Sequence, residues 1–257
     1  MSNDMTDDVL KTQLKKAGDD AAKQNRMMDL VLVIDTSGSM EPCIQSLVSS
    51  ISGLTKTLVS SQGVNTVGNA VMLDQQIGIV AHDSTTFRVM KSTPFPADLA
   101  KVEAALGLLA GGIGGDEATL HAMDYAMDGP FWRPGQHRRC LVVFTDEPVS
   151  GGLATGITQQ SIDKFKAKLG GVSLFFVGPI EDATAPFGYK ALAAMGCTKG
   201  TVNIPDASSN AWQTIDFSKL MDKIGKTLTQ AGAAEAGVQT SPDVFGNRAS
   251  FRIVDIP

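Results

Sequence analysis

The chain has 257 residues, 43% hydrophobic and 19% charged, with a formal net charge of -5. That is enough apolar material for one large α/β domain, and it excludes the disordered and fibrous classes. Lys and Arg are spread along the chain apart from the pair Arg138-Arg139, which excludes a nucleic-acid footprint. Cys43, Cys140 and Cys197 are odd in number and widely spaced, so they fit neither a disulfide framework nor paired metal ligands and suit a reducing compartment.

The acidic N-terminus lacks the basic-then-apolar order of a secretory signal, and no apolar run approaches the roughly 20 residues of a membrane span. A cytoplasmic protein without a membrane partner is expected. Residues 1–27 read as a polar lead-in. Asp29 to Ile34 is a short continuous apolar run, the pattern of a strand covered on both faces. From Glu41 to Ser60, apolar residues at 44, 47, 48, 51, 54 and 58 share one helical face. Gln76 to His82 and Thr85 to Met90 are strands separated only by Asp83 and Ser84, which predicts an antiparallel hairpin with its second strand at a sheet edge.

A helix over Asp98 to Ala110 leads to the glycine-rich break Gly111 to Gly115, and another helix begins near Glu117 and runs to Met127. The strand Arg139 to Thr145, the helix Ser161 to Leu169 and the strand Val172 to Val177 follow. Then come a helix from Phe187 to Met195, a short strand at Thr201 to Ile204 and a helix from Phe217 to Gln230. Strands alternating with amphipathic helices predict an α/β fold: an open, mostly parallel central sheet with one antiparallel edge strand and helices on both faces. The domain is expected to span 28–231. Residues 232–257 read as a linker and C-terminal tail, whose alternating Phe251, Ile253, Val254 and Ile256 suit an added edge strand or docking in a partner.

In such sheets ligands bind beyond the carboxyl ends of the strands, at the topological switch point. The first strand ends there in Val-Ile-Asp-Thr-Ser-Gly-Ser-Met, where Asp35, Ser37 and Ser39 alternate around Gly38, expected to supply backbone freedom. One carboxylate and two hydroxyls are hard oxygen ligands. They suit Mg²⁺, which keeps waters in a near-octahedral shell, with Mn²⁺ or Ca²⁺ as alternatives. Taken alone the motif is equally an Asx turn or a helix cap. Two further polar groups recur at matching places: Thr119 at a helix start after the glycine-rich loop, and Asp146 after Leu-Val-Val-Phe-Thr.

In order and spacing these three segments resemble the von Willebrand factor type A domain over about residues 28 to 231, in the intracellular bacterial form. The resemblance implies a Rossmann-like sheet and a metal-ion-dependent adhesion site (MIDAS), with metal ligands Asp35, Ser37, Ser39, Thr119 and Asp146. It also implies a partner protein whose Glu or Asp carboxylate completes the metal shell. Two departures concern the second and third loops. Gly-Gly-Asp-Glu-Ala-Thr looks like the family's Gly-Gly-Asp-x-Pro-Glu with Thr119 at the ligand position. Asp116 is then a group behind the ligands, a direct ligand or a helix cap. Thr-Asp-Glu-Pro replaces the common Thr-Asp-Gly, so Glu147 brings another carboxylate near the cation.

The function implied is a non-enzymatic, metal-dependent protein-interaction module. Its cytoplasmic relatives resemble adaptors of AAA+ ATPases, including MoxR-type chaperones and metal chelatases, and tellurite-resistance-associated proteins. The alternative is a Mg²⁺-dependent haloacid dehalogenase-like phosphohydrolase with Asp35 as nucleophile, although Ser37 stands where that chemistry wants a second acid. His82, His121 and His137 are dispersed without zinc spacing and read as core or surface residues, with lining of the same cleft as the alternative for His82 at its strand end. Cys140 reads as a buried small hydrophobe, and Trp132 as a loop anchor or an exposed contact.

Overall fold

A computed structural model describes residues 27–60, 74–95, 97–109, 118–128, 130–135, 138–146, 158–179, 198–203, 215–230 and 252–256, together with Trp212 and positions 12, 13, 15 and 16. The expected helix Phe187–Met195, the glycine-rich break, Asp116, Glu147, His137, Cys197 and the 231–247 linker lie outside the described residues.

The first apolar run forms the middle of β1 (Met27–Asp35), buried from Met28 to its end. Its side chains alternate between two cores. Leu30, Leu32 and Ile34 face one cluster and Val31 and Val33 the other, which is why the strand shows no polar alternation. Each such side chain stabilises the fold by roughly 1.5–3 kcal/mol. A 3-10 turn at Gly38–Met40 leads into α1 (Glu41–Ser60), whose Ile44, Leu47, Ile51 and Leu54 join the first cluster.

Strand β2 (Asp74–His82) pairs in parallel with β1, and β3 (Thr86–Phe95) returns antiparallel to β2. The predicted hairpin is present but β3 is longer, because pairing resumes past an irregularity between Ile77 and Ile79 and runs to Phe95 opposite Gln75. The polar residues Lys91 to Pro94 hid this continuation. Asp98 precedes α2 (Leu99–Gly107), shorter than the periodicity suggested. Helix α3 (Thr119–Asp128) leads to β4 (Arg138–Phe144). Then follow α4 (Gln159–Lys168), started by a capping box between Thr158 and Ser161, and β5 (Ser173–Gly178). The remaining elements are β6 (Thr198–Asn203), α5 (Phe217–Gln230) and β7 (Arg252–Asp255).

The sheet order is β6-β5-β4-β1-β2-β3-β7, with every β1–β2, β1–β4, β4–β5 and β5–β6 pair parallel. This is a mostly parallel Rossmann-like sheet with one antiparallel pair. The hairpin strand expected at the edge has an outer neighbour: β7 runs parallel to β3, with Arg252 N–H donating to the Thr85 carbonyl at 2.9 Å and Ile256 N–H to Val89 at 2.7 Å. Those bonds satisfy part of a row of backbone groups that a bare edge would leave open.

Residues of α1, α2 and α5 cover one face of the sheet, and residues of α3 and α4 the other. The chain winds outward from β1 through β2 in one direction and from β4 through β5 and β6 in the other, so the switch point lies between β1 and β4. No helix among the described residues is long and apolar enough to cross a membrane.

Candidate functional site

Asp35 is the last residue of β1, and Asp146 lies two residues beyond β4. These strands are parallel neighbours, with Ile34 opposite Phe144, so both carboxyl groups stand at the carboxyl edge of the sheet beside the switch point. Both are buried. Asp35 is held from two sides: Oδ1 accepts from the Ser37 N–H at 2.8 Å, and Oδ2 accepts from the Thr145 hydroxyl at 2.8 Å. The Thr119 hydroxyl, at the start of α3, donates to the Thr145 oxygen at 3.3 Å. A row of oxygens thus links the second loop to the first through the third.

The Ser37 and Ser39 hydroxyls lie 3.1 Å apart. The loop is tied to the neighbouring strand, because the Thr36 N–H and hydroxyl both donate to the His82 carbonyl at 2.9 Å. Gly38 is not needed for its dihedral freedom: it lies outside the left-handed region, and a Cβ there would meet no atom within 4 Å. A glycine does matter at 178, where a Cβ would come within 2.8 Å of the Thr145 carbonyl and 2.7 Å of Phe176. Gly178 lets β5 pass close behind the threonine that holds Asp35.

Asp146 contrasts with Asp35. Neither of its oxygens has a hydrogen bond of normal geometry among the described residues. Burial raises its pKa first of all and Asp35 adds to the rise, while Ser39 and Trp212 lie close enough to oppose it. Asp35 itself is pushed from 3.8 up to about 6, chiefly by burial, against the Ser37 and Thr145 hydrogen bonds, with Asp83 adding to the rise. Beneath them Cys43, buried in the first turn of α1, has its thiol pushed well up, by burial first and then by Asp146 and Asp35, so it stays protonated.

A carboxyl that titrates higher in the folded than in the unfolded chain holds its proton longer in the native state. Its stabilising contribution is therefore present below 3.8 and is lost as pH rises through about 6. In EDTA the stability of Asp35→Asn relative to wild type should rise by about 2 kcal/mol between about pH 4 and pH 7. Urea unfolding at the two pH values measures this, and a flat or falling difference rejects it.

His82 stands opposite Asp35 in the β1–β2 register. It is fully buried, with both ring nitrogens lacking a hydrogen bond among the described residues, and burial, helped by His121, pushes its pKa down to about 3. The imidazole is neutral, and the hydrogen bonds from Thr36 are accepted by the main-chain carbonyl of His82, not by its ring. Asp83 closes the hairpin turn, accepting from Thr85 N–H at 2.8 Å and Thr86 N–H at 2.7 Å. Trp132 is a loop anchor, donating to the Ala126 carbonyl at 2.8 Å, and Cys140 is a buried member of the sheet core.

The structure therefore brings Asp35, Ser37, Ser39, Thr119 and Asp146 to one end of the sheet, while Asp116 and Glu147 lie outside the described residues. Thr145, which joins Thr119 to Asp35, went unmarked in the sequence because it reads as the last residue of a strand; its place before a strand-end aspartate was the available signal. Among the described residues no group of three or more His, Cys, Asp or Glu side chains is placed to hold a metal. Among the described residues, the oxygens gathered at this end of the sheet are two carboxylates and the hydroxyls beside them. That hard-oxygen set suits Mg²⁺, Mn²⁺ or Ca²⁺, and the unpaired charge on Asp146 fits a cation.

Residues 30–149, a little under half of the chain, match the family model of the von Willebrand factor type A domain. No curated protein matches the chain. Solved structures with a similar arrangement include proximal thread matrix protein 1 from the mussel byssus with a zinc-occupied MIDAS motif, at 14% identity and a TM-score of 0.47, covering 83% of this chain and 50% of that one. The pilus adhesin SpaC from Lactobacillus rhamnosus GG aligns at 12% identity and a TM-score of 0.49, covering 80% of this chain and 30% of that one. The SpRpn10 VWA domain aligns at 12% identity and a TM-score of 0.45, covering 73% and 95%. The chain spans about half the length of the byssus protein.

Proposed function

We propose that residues 28–231 form a von Willebrand factor type A domain that binds an acidic residue of a partner protein through a divalent cation, Mg²⁺ first among the candidates. The observation that carries this reading is the meeting of two buried carboxylates, Asp35 and Asp146, with the hydroxyls of Ser37, Ser39 and Thr119 at the switch point, one carboxylate having no hydrogen-bond partner among the described residues. The family match over 30–149 supports it independently.

In this reading Asp35, Ser37, Ser39, Thr119 and Asp146 hold the cation. When bound, it supplies an electrophilic position that a partner's Glu or Asp carboxylate fills. The chain's own part is to keep those oxygens in place: Thr145 fixes Asp35 and Thr119 against each other, and the Ser37 N–H fixes the second oxygen of Asp35. Hydroxyl ligands add no charge, so the site leaves the cation attractive to an outside anion. The module is an adaptor without a chemical step of its own, and AAA+ ATPases are the first class of partner to test.

The test is capture of a partner in Mg²⁺ that is lost in EDTA and lost again with Asp35→Ala, together with calorimetric Mg²⁺ binding by the wild type alone. Hydrolysis of p-nitrophenyl phosphate that needs Mg²⁺ and disappears in Asp35→Asn would overturn the adaptor reading in favour of a phosphohydrolase.

A further inference from the structure

Strand β7 is one of the two outer strands of the sheet and is lightly anchored. It pairs with β3 over four residues, of which Arg252, Ile253 and Asp255 are exposed. Its ion pair with Lys91 is 4.0 Å long between side chains 65% and 70% exposed, where solvent screens most of the attraction. Ile256, just beyond the strand, supplies the apolar contact with the first core cluster. Main-chain bonds do most of the holding: Arg252 N–H to the Thr85 carbonyl at 2.9 Å and Ile256 N–H to Val89 at 2.7 Å. A short strand held in this way opens locally at far lower cost than the buried strands beside it.

The first of those bonds lands on the turn that braces the candidate cation site. Thr85 and Thr86 N–H both donate to Asp83 Oδ1, at 2.8 and 2.7 Å, and Asp83 N–H donates to the Thr86 carbonyl at 3.1 Å. The residue before Asp83 is His82, whose carbonyl accepts both bonds from Thr36, the residue between Asp35 and Ser37. From β7 to the first loop, every step is a hydrogen bond or a short run of main chain.

We infer that β7 is a detachable strand coupled to the cation site: docked on β3 it braces the Asp83 turn and the loop of Asp35, Ser37 and Ser39, and detached it slackens both and weakens the grip on the cation. The inference rests on the cation reading above and goes beyond it, since β7 supplies no ligand and is the third strand out from β1. Docked and detached β7 are the two states that such coupling requires. A partner that draws the C-terminal strand off β3 would lower the affinity for the cation.

Coupling of this kind is reciprocal, so the test can be made on the unaltered full chain. Saturating Mg²⁺ should slow amide hydrogen exchange at Arg252 and Ile256 by about fivefold or more relative to EDTA. The double variant Arg252→Pro with Ile256→Pro removes both donors to β3, and calorimetry should show Mg²⁺ binding weakened by about the same factor. Ile253→Asn changes an exposed side chain and keeps the main-chain bonds, so it should bind as wild type does. Exchange at Arg252 and Ile256 that Mg²⁺ leaves unchanged overturns the inference, as does a folded double variant that binds within about twofold of wild type. An equal loss in Ile253→Asn also overturns it, because docking through the main chain would then not be the cause. If the double variant fails to fold, the exchange measurement decides alone. Absence of any Mg²⁺ binding by the wild type overturns the cation reading, and this inference with it.

Discussion

Asp146→Asn should abolish Mg²⁺ binding and at the same time make the metal-free protein more stable. The wild-type carboxylate is buried, accepts no hydrogen bond of normal geometry and stands near Asp35, so without a cation its charge opposes folding. An amide of the same shape removes that charge, and urea unfolding in EDTA near pH 7 should show a gain on the order of 1–3 kcal/mol. With Mg²⁺ at 100 times its dissociation constant the wild type gains about 2.7 kcal/mol from binding and the variant gains nothing, which should cancel most or all of that difference. A variant that keeps the Mg²⁺-dependent gain would remove Asp146 from the site.

The second large effect is expected far from the cation. Lys168, at the end of α4, is buried with its Nζ 2.5 Å from Asp124 Oδ1 and 2.6 Å from Asp128 Oδ2, both on α3. Lys168→Met should destabilise the protein by about 3–5 kcal/mol, because it leaves two carboxylates together without their cation. Urea unfolding measures the loss. Adding Asp124→Asn and Asp128→Asn to Lys168→Met should recover most of it, and failure of that recovery would show that side-chain shape at 168, not charge, is what matters. Since α3 also carries Thr119, slack here should loosen the second loop of the site.

The sequence made the sheet legible wherever burial on both faces produced a continuous apolar run, as in β1, β4 and β5. It was less legible where a strand is covered unevenly. In β3 exposed Lys91 and Pro94 break the pattern, yet Thr93 and Phe95 remain buried and paired with β2. Periodicity also cannot say which strands become neighbours, so the outer pairing of β7 on β3 awaited the structure.

For the site, the alternation of Asp35, Ser37 and Ser39 and the strand-end position of Asp146 were readable because residues near one strand end share a location. Thr145 and His82 were not. Their roles depend on contacts across 110 and 46 residues, made by a hydroxyl and by a backbone carbonyl whose residue type carries no signal.

The hydrogen bond between Thr145 and Asp35 has a consequence for how the molecule comes into being. It spans the β1–β4 junction, a parallel pairing across a stretch of chain that carries β2, β3 and three α-helices, so closing it costs loop entropy that local contacts do not. During synthesis the first loop is complete long before the third emerges. A nascent chain exposes Asp35 and its serines without the groups that fix them, and so it has no competent binding surface. On the function proposed above, a competent site then arrives only with a finished sheet, and half-made molecules would not occupy a partner.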